Sequence, residues 1–423
     1  MTLISFFEAK QSIGKNITYL FIIQFIRLLL PFVLLRVLIK VLTSEQFSVY
    51  IYTMACATWL STFVEYGFNT SATRRIASCD NLEARKEIII QTQIAKVLLS
   101  TITLVFLAWS TLGMSVFSPY PEWALTAWLI GVLIGITPTY YFQATSQLSL
   151  PALLEVGGGL ITIAGVFLLI DDSSDFPLLT ILLILVRLVI WKVLEKKMYV
   201  ENEVRTLRFY QINKGILALK DGWNIFIIQA GSSIYTTFNV VLLGGVSTAS
   251  AVATYGSSER MIRVSLVFIN QVSMAIFPWF NKLKHTDPIK LFKMRRVSIL
   301  YFATGGLFII PLIWGLSPLI SDILFLGNIP DLSLNLRVMA FVVPAIAINN
   351  ALTLQFFTVD LNEHLVIKII LTAAPISIIL GYFLSKNYGA LGMATTWVGI
   401  EWAIVAMLGF LIHYQHKYRT LNS

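Results

Sequence analysis

The sequence predicts an all-α, polytopic membrane protein with about twelve transmembrane helices arranged as two six-helix lobes, and three observations carry that reading. Of the 423 residues, 57% are hydrophobic and only 13% charged, where a soluble domain has about a quarter of its residues charged. The mean hydropathy is +0.78. Apolar runs of helix-spanning length recur from Asn16 almost to Lys417. A secreted enzyme, a nucleic-acid-binding module and a disordered regulator are excluded together.

A hydrocarbon core of roughly 30 Å takes about 20 residues of helix. That ruler places spans at 16–39, 47–68, 88–109, 123–143, 151–170 and 176–194 in the first half of the chain. In the second half it places them at 222–243, 252–280, 297–316, 334–356, 366–384 and 389–413. Residues 1–15 carry Glu8, Lys10 and Lys15 without a small-residue cleavage signature, so they read as an amphipathic approach to the first helix, with no removable signal peptide expected.

The formal charge of +9 is concentrated between the spans and reports topology, not a polyanionic partner. Basic loops alternate: Arg74, Arg75, Arg85 and Lys86; then Lys192 to Lys220; then Lys282 to Arg296. One intervening loop is acidic, with Asp171, Asp172 and Asp175. The positive-inside rule puts the basic loops and both termini in the cytoplasm. The outer loops are too short for an independent domain.

The long inward stretch from Lys192 to Asp221 divides the chain into residues 1–200 and 201–423. A weak internal repeat supports the division. Val41-Leu42-Thr43-Ser44-Glu45 leads to Val49-Tyr50, and Gly244-Gly245-Val246-Ser247 leads to Val252-Ala253-Thr254-Tyr255. Six helices per half make the repeats parallel, about an axis along the membrane normal, with a cavity between lobes.

Charges inside the spans are the candidate functional residues, since each costs about 2.5–3.5 kcal/mol at a helix centre. Arg27, Arg36, Lys96, Arg187, Arg260, Arg263 and Arg337 outnumber Glu65, Glu155, Glu259 and Glu401, and a cavity so lined favours anions. Arg27, with Gln24 on its face, either meets substrate or joins an internal ion pair. Arg36 lies near an outer surface its stem can reach, and Lys96, Glu155 and Arg337 read as snorkelling side chains. Arg187 either packs against a neighbouring carboxylate or functions directly. Glu259 and Arg263 stand at i,i+4, with Asn270 farther along. Glu259 cannot balance Arg260 as well, so a guanidinium is left for water, another carboxylate or an anion such as pyrophosphate.

Polar stripes (Thr58, Ser61, Thr62 and Glu65; Gln229, Ser232, Ser233, Thr236 and Asn239; Asn349, Asn350 and Thr353) either line the cavity or join helices. Prolines 31, 138, 278, 311, 344 and 375 bend helices. Cys56 and Cys79 support neither a disulfide framework nor a zinc site. The four histidines form no metalloprotease motif, and there is no P-loop or nucleophile elbow. No metal, cofactor, catalytic residue or nucleic-acid partner is expected.

The run Phe63-Val64-Glu65-Tyr66-Gly67-Phe68-Asn69-Thr70-Ser71-Ala72-Thr73-Arg74-Arg75-Ile76-Ala77 resembles the matching stretch of bacterial Wzx-type O-antigen flippases. So does Val41 to Tyr50, with Ser48 where a glycine is usual. Tyr255-Gly256-Ser257-Ser258-Glu259-Arg260 and Phe277-Pro278 are similar to the opening of that family's second lobe. The resemblance implies an inner-membrane protein that moves undecaprenyl-pyrophosphate-linked oligosaccharide to the periplasmic leaflet by alternating access. It makes Arg27 and Arg263 the leading substrate pair, followed by Arg260; Gln24 and Asn270 join them as substrate-binding candidates by sharing their helix faces, and Glu65, Glu259 or Glu401 are the ion-coupling candidates. Membrane lipids, a polysaccharide polymerase and a chain-length regulator are the partners it implies. The rivals are a cation-coupled multidrug exporter of the same superfamily and a polymerase or ligase; the first should be acidic inside, the second should carry a large periplasmic loop.

Overall fold

The structure is a computed structural model that describes residues 23, 25–79, 81–113, 115–204, 212–360 and 363–421. Gln24, which the sequence marks as a candidate, lies outside the described residues. The fold is all-α, with no strand among the described residues.

The first half holds α1 (25–41), α2 (Ser44–Glu65), α3 (Phe68–Ala77), α4 (Leu82–Ile102), α5 (Leu104–Gly113), α6 (Glu122–Ile136), α7 (Thr139–Ala144), α8 (Ser149–Leu169) and α9 (Phe176–Glu201). The second holds α10 (Ile212–Thr236), α11 (Phe238–Val246), α12 (Ala249–Thr286), α13 (Pro288–Leu319), α14 (Leu332–Met339), α15 (Val342–Leu352) and α16 (Glu363–Leu421). Among the described residues, eight helical segments are long and apolar enough to cross a membrane, or nine when the bent pair α10 and α11 counts as one span. Leu160, Ile161, Phe167 and Leu168 on α8, and Leu300, Tyr301 and Phe308 on α13, are exposed. Acyl chains, not water, are the solvent such surfaces require.

Local chemistry explains the starts and breaks. At the α2 start Thr43 and Gln46 form a capping box, in which the Gln46 backbone N–H donates to Thr43 Oγ1 at 3.2 Å and the Thr43 N–H to Gln46 Oε1 at 3.1 Å. Helices α2 and α3 part where Tyr66 and Gly67 both take positive φ. Pro138 stands between α6 and α7 and cannot donate the hydrogen bond that would join them. Helix α16 runs for 59 residues, about 90 Å if straight. It turns at Gly389 (φ 56°, ψ −130°) and folds back so tightly that a Cβ on Gly392 would lie 2.0 Å from the Leu384 carbonyl oxygen.

Two expected loops are helical instead. Helix α9 continues past Lys192, Lys196 and Lys197 to Glu201, and α12 and α13 run through the basic stretch 282–296 with only Asp287 between them. Lysine and arginine are good helix formers, so a span need not end where the apolar run ends. Asp287 makes the stop a new start by accepting from the Lys290 N–H at 2.9 Å.

The chain resolves into two compact units. Unit 1 comprises Met1–Gln46, Leu60–Ala108 and Glu122–Phe226; unit 2 comprises Phe47–Trp59, Trp109–Pro121 and Ile227–Ser423. Unit 1 is built on Phe68, Ile89, Tyr140, Phe142, Leu194 and Met198. In unit 2 the Tyr52 hydroxyl donates to the Val241 carbonyl at 3.0 Å. Its ring lies on Gly244, where a Cβ would come 2.2 Å from Tyr52 Cε2. These contacts make segment 47–59, early in the chain, part of the later unit.

Candidate functional site

Each unit has a polar centre inside an apolar body. In unit 1, Lys96 on α4 is 0% exposed, so the interface-reaching role expected for it is not its place. Its Nζ donates to the Thr137 carbonyl at 3.1 Å and lies 4.9 Å from the Tyr140 ring centroid. Thr137 is at the α6–α7 break, where its carbonyl accepts from the Thr139 N–H at 3.0 Å in place of a regular helical donor, and the ammonium adds a second donor. Glu65 supplies charge complementarity to Lys96 and accepts from the Asn69 N–H at 2.6 Å, capping α3 at the other break. Thr139 Oγ1 donates to Asn69 Oδ1 at 2.7 Å, joining the two broken helices. Sequence analysis missed this centre, although Pro138 marks the break.

Unit 2 holds the larger constellation. Arg263 on α12 donates through Nε to Glu259 Oε1 at 2.8 Å and through Nη2 to the Thr236 carbonyl at 3.2 Å; Nη2 also pairs with Glu259. The Arg263 guanidinium lies 5.9 Å from the Trp397 ring centroid. The Arg263 side chain nevertheless remains 41% exposed, while that of Glu259 is 8% exposed. The carboxylate is therefore buried and the cation keeps an open side. Arg260, one residue along from the pair, has its guanidinium 5.7 Å from the Tyr50 ring centroid and no carboxylate at ion-pair distance among the described residues. It is the surplus guanidinium that charge counting requires.

Glu401 on α16 is 2% exposed. It accepts from Trp397 Nε1 at 3.3 Å and Asn349 Nδ2 at 3.5 Å, and its charge acts on Arg263. Asn349 also borders a cavity of about 390 Å³ walled by Tyr235, Asn270, Asn350 and Thr353 among others. Unit 2 thus brings together Glu259, Arg263 and Glu401, and Asn349 leads from Glu401 to the cavity that includes Asn270.

The other candidates separate. Arg27 lies on α1 in unit 1, exposed, without an ion pair among the described residues; the internal-pair alternative is not realised there. Arg187 makes such a pair, with Glu155 at 2.6 Å. Arg337 donates from Nε to Ser317 Oγ at 3.1 Å. Arg295, placed by sequence in a loop, is bidentate to Asp360 at 3.2 and 2.8 Å. The hydroxyls of Ser232, Ser233 and Thr236 donate to backbone carbonyls of their own helix, and Asn239 Nδ2 donates to the Tyr255 hydroxyl at 3.1 Å. That stripe is occupied in helix bonding.

A multi-pass α-helical membrane protein with charged groups held inside its helical units is the class these features define. The chain belongs to the polysaccharide biosynthesis protein family, which matches residues 13–284, in agreement with the resemblance carried by Phe63 to Ala77 and Tyr255 to Arg260. It is 25% identical over 399 residues to a protein of Shigella dysenteriae named "Putative O-antigen transporter", covering 93% of this chain and 98% of that one. Solved structures share its fold, two among them with TM-scores of 0.70 or more. They are "Lipid II flippase MurJ, inward closed conformation" (TM-score 0.71, 15% identity, 94% of this chain and 87% of that chain) and an inward-facing multidrug resistance MATE family transporter of the MOP superfamily (TM-score 0.70, 15% identity, 94% and 96%).

Proposed function

We propose that the protein is a flippase for undecaprenyl-pyrophosphate-linked O-antigen or related polysaccharide repeat units, carrying them from the cytoplasmic to the periplasmic leaflet of a bacterial inner membrane by alternating access. The observation that carries this reading is the Arg263 side chain, 41% exposed within an apolar helical protein, beside the surplus Arg260. A guanidinium fork offers two parallel donors to phosphate oxygens, and an anionic cargo offsets the cost of holding such charge away from water. Arg27 is the matching cation of the first half. The topology of this proposal has twelve spans in two halves, 1–200 and 201–423, with both termini cytoplasmic. It counts α1, α12 and the two arms of α16 as spans.

An ion gradient drives the cycle in this reading, through Glu401 and Glu259 in unit 2 or Glu65 in unit 1. A polysaccharide polymerase and a chain-length regulator receive the cargo. The buried carboxylates Glu259 and Glu401 beside Trp397 favour one second reading, a multidrug exporter that takes organic cations. The test replaces Arg27 and Arg263 by Ala, singly and together, in a strain that depends on this gene for surface polysaccharide, with membrane insertion checked. Polymer display should be lost with normal insertion, and lipid-linked repeat units should accumulate facing the cytoplasm. Full display in the double variant removes both residues from the mechanism, and a drug-sensitivity phenotype without a polymer defect supports the exporter.

A further inference from the structure

We infer that the cavity bounded by α10, α12, α15 and α16 is a neutral-sugar subsite, which holds a saccharide residue of the cargo away from its diphosphate. The inference rests on the flippase reading and says where one part of that cargo sits.

The first argument is charge. At about 390 Å³ the cavity falls in the range of small-molecule sites, about 300–1,000 Å³, yet no Lys, Arg, Asp or Glu is among its described lining residues. The nearby carboxylate of Glu401 is not part of the lining. Asn349 stands between, its Nδ2 donating to Glu401 Oε2 at 3.5 Å and its Oδ1 accepting from Thr353 Oγ1 at 3.0 Å. A diphosphate there would have no counter-charge, whereas a sugar needs none.

The second argument is hydrogen-bond supply. Asn350 Nδ2 donates to Asn270 Oδ1 at 2.6 Å, which leaves one carbonyl oxygen and one amide nitrogen unused by that bond. The count is the same if both amides are turned over. A donor beside an acceptor matches a pair of neighbouring hydroxyls or an acetamido group. Tyr235 is 5% exposed and lines the cavity; its hydroxyl has no hydrogen-bond partner among the described residues. That hydroxyl is available to a ligand in the cavity, as a donor or an acceptor.

The third argument is shape. Tyr235, Ile370 and Ile404 give the same cavity an apolar wall, suited to the C–H face of a pyranose. At its rim the backbone leaves α-helical geometry for a π-helical turn, Thr353–Thr358, a deviation that recurs at functional sites.

The experiment measures binding of two probes to the purified full-length protein in detergent: undecaprenyl pyrophosphate bearing one monosaccharide, and undecaprenyl pyrophosphate without sugar. Translocation of both is measured separately in proteoliposomes. Tyr235→Phe and Asn350→Leu should each weaken binding of the sugar-bearing probe about threefold to tenfold, the scale of one or two net hydrogen bonds, and leave the sugar-free probe unchanged. Equal losses on both probes would assign the residues to packing and overturn the subsite; so would unchanged binding of the sugar-bearing probe, or a wild-type protein with no preference between the two. A wild-type protein that binds the sugar-bearing probe preferentially but translocates neither overturns the flippase reading and leaves the subsite standing.

Discussion

Lys96 in unit 1 and Arg263 in unit 2 are both cations inside apolar helical bodies, and they are held in opposite ways. Lys96 is 0% exposed, and it donates a hydrogen bond to the Thr137 carbonyl at a helix break. Arg263 is paired with Glu259 and bonded to the Thr236 carbonyl, yet its side chain stays 41% exposed. A compact ammonium closed into the fold repairs a broken hydrogen-bond ladder. A guanidinium with five donors, two of its nitrogens already engaged, still has donors for a ligand. The two cations thus differ in unused bonding capacity, which is what the role proposed for Arg263 requires.

The comparison breaks most clearly at Arg263. Arg263→Ala leaves the buried Glu259 carboxylate without its guanidinium partner and removes the donor that the proposed function assigns to the anionic cargo. Surface polymer should fall to background, and Arg263→Lys, which keeps charge without the fork, should restore only part of it. Lys96→Met should act on stability instead. It removes one of the two donors to the Thr137 carbonyl and a cation whose charge acts with that of Glu65, lowering stability by about 1–3 kcal/mol, read as a lower unfolding temperature in detergent. The protein that remains folded should transport at the wild-type rate, and a transport defect per folded molecule would show that Lys96 shares the role given to Arg263.

Smaller effects sharpen the same contrast. Gly389→Ala places a side chain at φ 56°, ψ −130°, a strain of about 1–3 kcal/mol, and should lower thermal stability without altering cargo preference. Arg187→Ala removes a 2.6 Å pair whose side chains are 32% and 23% exposed. A pair that open contributes at most about 1 kcal/mol, so insertion and polymer display should remain close to wild type.

Much of the fold is legible in the sequence because a bilayer imposes a single length scale on apolar helices. The runs at 151–170 and 176–194 needed nothing more. The i,i+4 spacing of Glu259 and Arg263 likewise foretold their pair, and the leftover charge fell on Arg260, as simple counting requires. The basic stretches were harder. Positive charge reports which side of the membrane a segment faces but says nothing against helix, so α9, α12 and α13 continue through residues that read as loops. Lys96 misled for a related reason: hydropathy sees a lysine near a span end and cannot see the carbonyl at Thr137 that holds it inside.

The sequence by itself determined that this chain is helical, crosses membranes and carries more cationic than anionic charge within its spans, since these follow from composition and from periodicity along one helix. Only the tertiary structure decided which of those charges are spent. Whether a guanidinium meets a carboxylate from its own helix, a carbonyl from a neighbour or an open cavity depends on residues far apart in the chain. The same is true of the amides Asn270 and Asn350, which lie eighty residues apart and acquire a shared donor–acceptor edge only when α12 and α15 bring them within 2.6 Å.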